Sequence, residues 1–266
     1  MRLLLSKKFA ILLVLALTAI CVLALRSREA SAKLPSSLRT ASMNSLPPVI
    51  IWAWERPESL RFLNSQRVGV AFLAKTIQLR GGLIDTRPRM QPLELAEGTQ
   101  RVAVVRIESS RTDRPQLTLA QQEAVASEIA ELSSLPQLAA IQIDFDATLS
   151  QREFYRQLLF SVRQKLPPKL PLSITALASW CAGDNWLSDL PIDEAVPMLF
   201  RLGAEQHQFQ TRLDAGDNFK NTPCENAAGV STDEIIKPPV VQRLYIFNPD
   251  GWSESSLTTA MEIYKR

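Results

Sequence analysis

Beyond residue 48 the chain is a succession of short apolar runs separated by segments of mixed polarity. The runs are Val49–Trp54, Val68–Leu73, Val102–Ile107, Ala139–Phe145, Leu172–Leu177, Ala195–Phe200, Ala227–Val230 and Arg243–Phe247. Their length and their content of Val, Ile and aromatic residues predict buried β-strands. In several intervals the period changes to that of a helix. Leu119–Leu132 places apolar residues at helical spacing, with Thr118 as N-cap and Gln121 three residues later. Ser150 likewise precedes Glu153 and the stripe Phe154, Leu158, Leu159 and Val162, before Pro167 and Pro168 stop the helix. Ser253–Tyr264 is a third predicted helix.

Eight strands with helices in several intervals predict an α/β fold. A single (β/α)8 TIM-like barrel over residues 49–266 suits the pattern better than a doubly wound open sheet. Two places strain the repeat. Ile77–Leu95 is too long for a simple turn and contains Gly81-Gly82, which predicts a hairpin-like insertion after the second strand. The seventh strand rests only on Ala227–Val230. No internal repeat is visible.

The N-terminus follows a different pattern. Met1–Lys8 is basic, Phe9–Leu25 runs 17 residues without a charge, and Ala30-Ser31-Ala32 offers a small-residue cleavage signature. Residues 1–32 are therefore expected to be a signal peptide or an N-terminal membrane anchor. The apolar run is long for the first and short for the second. Cys21 has a poor lipobox before it, so it reads as filler in that run. Residues 33–48, rich in Ser, Pro and Ala, read as a linker. Either outcome predicts an exported protein, periplasmic or otherwise extracytoplasmic, and an uncleaved segment would tie it to the inner membrane.

The formal charge of +3 changes meaning in this light. Residues 1–32 hold five basic side chains and one acidic, leaving 25 basic and 26 acidic in the remainder. Nothing in the body calls for nucleic acid. The single histidine, His207, lies in the polar run Ala204–Arg212 and suits a solvated helix surface. It excludes zinc sites that need two imidazoles from one chain. Outside the leader only Cys181 and Cys224 remain. In an oxidising compartment a disulfide is the default, with two buried thiols as the alternative.

Side chains alternate along a strand. Ile141, Ile143 and Phe145 suit the helix-facing side of the fourth strand, which puts Gln142, Asp144 and Asp146 toward the barrel axis and its C-terminal mouth. In the third strand the same parity turns Arg106 and Glu108 inward, where Arg106 can neutralise Asp144. This group reads equally as a buried structural network or as an active site, since active sites of this fold sit at that mouth. Glu55 ends the first strand and Arg201 the sixth. All five tryptophans (Trp52, Trp54, Trp180, Trp186 and Trp252) fall at or just beyond predicted strand ends. Flat aromatic faces beside carboxylates suit sugar binding, although each tryptophan singly suits core packing.

The strings Ile50-Ile51-Trp52-Ala53-Trp54-Glu55-Arg56-Pro57, Val68–Ala74 and Ile141-Gln142-Ile143-Asp144-Phe145-Asp146-Ala147 resemble a bacterial family of unknown function, number 3142 of that series. Leu172–Cys181 and Ala195–Arg201 fit it as well. The resemblance implies an exported domain and brings no activity with it. More distantly, the fourth strand is similar to that of the family 18 glycoside hydrolases, which ends in alternating aspartates and a catalytic glutamate. That similarity implies Asp146 in the place of the catalytic acid and Asp144 in that of the supporting aspartate. Gln142 departs from the pattern, and Asp146 is one methylene shorter than glutamate.

Two functions follow as expectations. One is a glycoside-hydrolase-like enzyme with Asp146 and Asp144 as its acids, and Glu108, Glu55 or Glu194 as a further carboxylate. Trp52, Trp54, Trp180, Trp186, Arg201 and Trp252 would hold a carbohydrate or envelope polysaccharide. The other is a non-catalytic barrel that binds a glycan or a protein of the envelope. Neither reading calls for a cofactor or a metal; carboxylates alone would suit calcium or magnesium better than zinc.

Overall fold

The computed structural model describes residues 43–203, 206–216, 219 and 222–266. The expected leader lies outside the described residues, as does the linker up to residue 42. Within that linker, Met43–Ser45 forms a 3-10 turn whose Met43 is buried, so the folded domain has begun by this point. No helix among the described residues is long and apolar enough to cross a membrane.

Eleven strands form among the described residues: β1 (Val49–Ala53), β2 (Glu58–Leu60), β3 (Val68–Arg80), β4 (Leu83–Pro88), β5 (Leu93–Leu95), β6 (Arg101–Ser109), β7 (Leu138–Asp144), β8 (Leu172–Leu177), β9 (Glu194–Met198), β10 (Ala227–Ser231) and β11 (Arg243–Phe247). Eight of them are parallel neighbours in the order β1, β3, β6, β7, β8, β9, β10, β11. The β1–β11 and β1–β3 pairings close the circle. All eight predicted runs are thus barrel strands, including the short seventh. Closure removes both sheet edges and lets every strand bury two faces, which is why the runs read as nearly continuous apolar stretches.

The predicted insertion is also present. β3 continues past the barrel to Arg80, turns at Gly81 and Gly82, and pairs antiparallel with β4. Gly81 has a φ of +47°, a backbone conformation that a side chain would disfavour. β2 and β5 add a small parallel pair beside it.

The helices among the described residues are α1 (Leu119–Glu131), α2 (Arg152–Lys165), α3 (Ala178–Ala182), α4 (Gln206–Asp214) and α5 (Glu254–Ile263). Thr118 caps α1, its side chain accepting from the Gln121 backbone. The start of α2 differs from expectation. Thr148 and Gln151 form a capping box around a 3-10 turn, so the chain begins to coil before Ser150. The ideal repeat of one helix per strand does not hold either. Among the described residues no helix follows β1, β3 or β10, and the β3–β4 hairpin stands where the second helix would be.

Two apolar cores result. The larger lies between barrel and helices; the smaller fills the barrel and contains Ile50, Trp52, Val102, Val104, Val196 and Tyr245. At Gly229 a Cβ would meet Met198 Sδ and Trp52 Cη2 at 2.9 Å each, so the indole fits the barrel only where β10 lacks a side chain.

Cys181 and Cys224 form a disulfide across 43 residues of sequence, with both cysteines buried and a Cα–Cα separation of 5.9 Å. Replacing both by serine is expected to lower stability by about 2–4 kcal/mol, since the bridge shortens the loop open to the unfolded chain. Thermal unfolding with and without dithiothreitol checks this: the parent melts lower in reductant, the double variant at one temperature in both.

Candidate functional site

The alternation of each strand sorts its residues between the two cores. On β7, Ile141 and Ile143 face the helix layer with Phe145, whose ring lies 5.1 Å from that of Tyr155. Ala140, Gln142 and Asp144 take the opposite face. Gln142 is fully buried inside the barrel. It accepts from Trp52 Nε1 at 2.9 Å and donates to Ser173 Oγ at 3.2 Å. An amide can do both, whereas a carboxylate there would meet the hydroxyl only as an acceptor and carry an expensive buried charge. This accounts for glutamine where the glycosidase pattern has aspartate.

Two residues further along β7, Asp144 is mostly buried. Its Oδ1 accepts from Thr175 Oγ1 at 2.7 Å and its Oδ2 from Arg106 Nη1 at 3.2 Å. Burial pushes the Asp144 carboxyl above its ordinary value. Arg106 and Thr175 oppose that shift, while the charges of Asp146 and Glu108 add to it. Arg106 also donates through Nε to Glu108 Oε1 at 2.8 Å, and its guanidinium carbon lies 5.6 Å from the Trp54 ring centre. Asp146, two residues beyond Asp144, is exposed and makes no hydrogen bond or ion pair among the described residues.

Asp144 and Asp146 line one cavity of about 620 Å³ at the C-terminal mouth. Trp52 forms part of its floor. Trp54, Phe200 and Phe247 supply an aromatic wall: Phe200 and Phe247 are stacked with centres 5.7 Å apart, and Trp54 meets Phe247 edge-on at 6.4 Å. Thr175, Leu177, Met198 and Arg201 are among the remaining lining residues. Arg201 stands at the rim, with positive φ (59°), and its guanidinium is engaged by Asp233 at 2.6 Å and by Glu234.

The other expected site residues lie elsewhere. Glu108 is bound to Arg106 and faces an adjoining cavity. Glu55 accepts from the backbone of Met90 and Gln91 at 3.1 and 3.3 Å, which ties the inserted hairpin to the end of β1. Glu194 is buried deep in the barrel against Arg243 and Tyr245. Trp180 and Trp186 pack edge-to-face, with centres 4.9 Å apart, in the helix layer beneath Arg152. Trp252 is buried and donates through Nε1 to the Trp52 carbonyl at 2.9 Å. Two of the five tryptophans therefore line the cavity, because position after a strand end does not say which way a loop turns its side chain. Thr175, Phe200 and Phe247 went unmarked in the sequence. Strand parity could have found Thr175 and Phe247, which share the inward face with Ser173 and Tyr245. His207 is exposed on α4, as expected.

Residues 97–199 match the model of a domain of unknown function, DUF3142. The DUF3142 segment carries β6 to β9, and with them Arg106, Asp144, Asp146 and Thr175. No curated protein sequence matches the chain. Among solved structures, a protein named chitinase A from Streptomyces coelicolor superposes with a TM-score of 0.50 at 9% identity, over 82% of this chain and 95% of that one. At that identity the likeness is one of fold. It places the DUF3142 segment within a barrel of the same kind.

Proposed function

We propose that the mouth cavity binds a carbohydrate and that Asp146 is the proton donor for hydrolysis of a glycosidic bond. The observation that carries this reading is the meeting, in one cavity, of the Asp144–Asp146 strand end with the wall of Trp54, Phe200 and Phe247. Sugar rings present apolar C–H faces to aromatic rings and hydroxyls to the polar groups between them. Asp146 is unencumbered and within reach of a ligand. Its proton would pass to the leaving oxygen as the C–O bond breaks, and the attacking water would return one to it. Asp144, held by Arg106 and Thr175, would set the charge beneath the reacting centre. The chitinase named above supports a trial of N-acetylglucosamine oligomers first. The reading also has the domain acting outside the cytoplasm, which the Cys181–Cys224 disulfide supports because such bonds persist in oxidising compartments.

Calorimetric titration with chitin oligomers and with oligomers of envelope polysaccharides, alongside assays for new reducing ends, tests the proposal. Trp54→Ala is expected to weaken binding roughly tenfold, the scale of one lost aromatic face. Saccharide binding without turnover in the parent protein would overturn the enzymatic half of the proposal, and no binding at all would overturn the whole.

A further inference from the structure

Asp146 stands where two cavities meet. A second, of about 770 Å³, adjoins the aromatic one, and the two share Arg106, Asp144 and Asp146 as common wall. The linings differ in kind. Beyond the shared residues the large apolar side chains lining the second cavity are Ile107 and Phe145, both buried. The cavity is also bordered by Gln78, Arg80, Glu108, Arg111, Thr148 and Gln151.

The charges in this second arm are unevenly committed. Glu108 and Asp144 are both held by Arg106. Arg80 is paired with Asp85 at 3.1 Å and Asp113 at 3.7 Å. Gln151 donates to Ser109 Oγ at 2.6 Å. The side chains of Arg111 and Gln78, both exposed, make no hydrogen bond or ion pair among the described residues. Apart from Asp146, the uncommitted charged and amide groups lining this arm are therefore a guanidinium and an amide. A guanidinium offers donors only, in a planar fork that fits two oxygens of one anionic group.

We propose that this arm is a subsite for an acidic substituent, a carboxylate or a sulfate or phosphate ester, on a saccharide whose neighbouring ring lies against Trp54, Phe200 and Phe247. The subsite rests on the carbohydrate reading above and narrows its substrate class to anionic glycans that span both arms. Arg111 would hold the acidic group and Gln78 would add an amide donor. The Arg106 guanidinium, shared by Glu108 and Asp144, offsets one of those two carboxylates, and the Arg111 fork would have to outweigh the negative charge that remains.

The test uses the full chain and four probes: chitotetraose, a hyaluronan tetrasaccharide, its chondroitin sulfate counterpart and inorganic sulfate. Titrations at 20 mM and 500 mM NaCl compare them. The acidic tetrasaccharides are expected to bind about five- to tenfold more tightly than chitotetraose at low salt, and the advantage should fade at high salt. The carboxylate-only and sulfated probes distinguish which acidic group is preferred. In Arg111→Glu the ratio of acidic to neutral affinity should fall to about one. Lys237→Glu, an equal charge change outside both arms, should keep it. Equal binding of neutral and acidic probes by the parent, or a preference that survives Arg111→Glu, overturns the subsite while leaving the carbohydrate reading intact. Binding of inorganic sulfate but of no saccharide overturns the carbohydrate reading and the spanning substrate with it.

Discussion

Replacing Asp146 with asparagine is expected to lower saccharide turnover by about 10²- to 10⁴-fold, the usual contribution of a positioned acid. The same change should leave saccharide affinity within about twofold and the unfolding midpoint nearly unmoved. The structure gives the reasons for both halves. Asp146 lines the cavity but is exposed and makes no hydrogen bond or ion pair among the described residues, so an amide of the same shape leaves no partner unsatisfied. In the proposed mechanism the change removes only the group that would pass the proton. Asp146→Glu keeps an acid and adds one methylene, and it should retain turnover. Asp144→Asn makes a useful contrast. It withdraws a charge from Arg106 and should disturb both stability and binding, because Arg106 bridges Asp144, Glu108 and the Trp54 face. Turnover by Asp146→Asn at the parental rate would remove Asp146 from the chemistry.

The largest effect on stability is expected far from that cavity. Arg243 and Glu194 are 3% and 2% exposed inside the barrel, where they form an ion pair. Arg243 also donates to the Met43 carbonyl, and Tyr245 donates to Glu194 Oε1 at 2.8 Å. Arg243→Met should cost about 3–5 kcal/mol, because it strands a buried carboxylate and frees the Met43 turn. Against a typical domain stability of about 5–15 kcal/mol, that is a large share. Glu194→Gln combined with Arg243→Met should recover part of the loss, since no charge is then left alone.

The pH dependence of the single variant follows from the same site. Burial already pushes the Glu194 carboxyl above its ordinary value, against Arg243 and the Tyr245 hydroxyl. Removing Arg243 removes the larger of those opposing influences. The folded form then holds its proton more tightly than the unfolded chain does. The stabilisation is full below the ordinary carboxylate value and is lost as pH rises through the folded one. Denaturant unfolding should therefore show the smallest deficit near pH 4 and the largest near pH 7. A deficit that is flat across this range would show that Glu194 is not the stranded group.

Much of this architecture is legible from the chain because it follows from local rules. The strand runs mark themselves by length and by β-branched residues, and the Gly81-Gly82 turn of the insertion needs a conformation that glycine supplies. The pairing of Arg106 with Asp144 was foreseeable from parity on two adjacent strands. The helix count was less so. An interval without a helical stripe, such as that after β10, still permits barrel closure, because closure depends on strand register and not on each crossover being helical. The α2 start was misplaced by a few residues because Thr148 and Ser150 are both acceptable caps, and the capping-box geometry with Gln151 selects between them.

The site divides along the same line. The sequence by itself put Asp144 and Asp146 on one face of their strand, opposite the apolar face of Ile141, Ile143 and Phe145, since side chains alternate with a period of two. It also made Cys181 and Cys224 the natural pair. Only the tertiary structure decided which tryptophans meet the acids. Trp52 and Trp54 lie on a strand and near its end and inherit its direction, whereas Trp180, Trp186 and Trp252 follow loops and helices that turn them into the helix layer or against a backbone carbonyl. It likewise decided that Glu55 ties down the hairpin and that Glu194 is a buried structural charge. Asp144, Glu55 and Glu194 meet their partners 31 to 51 residues away in the chain, and no local pattern records those meetings.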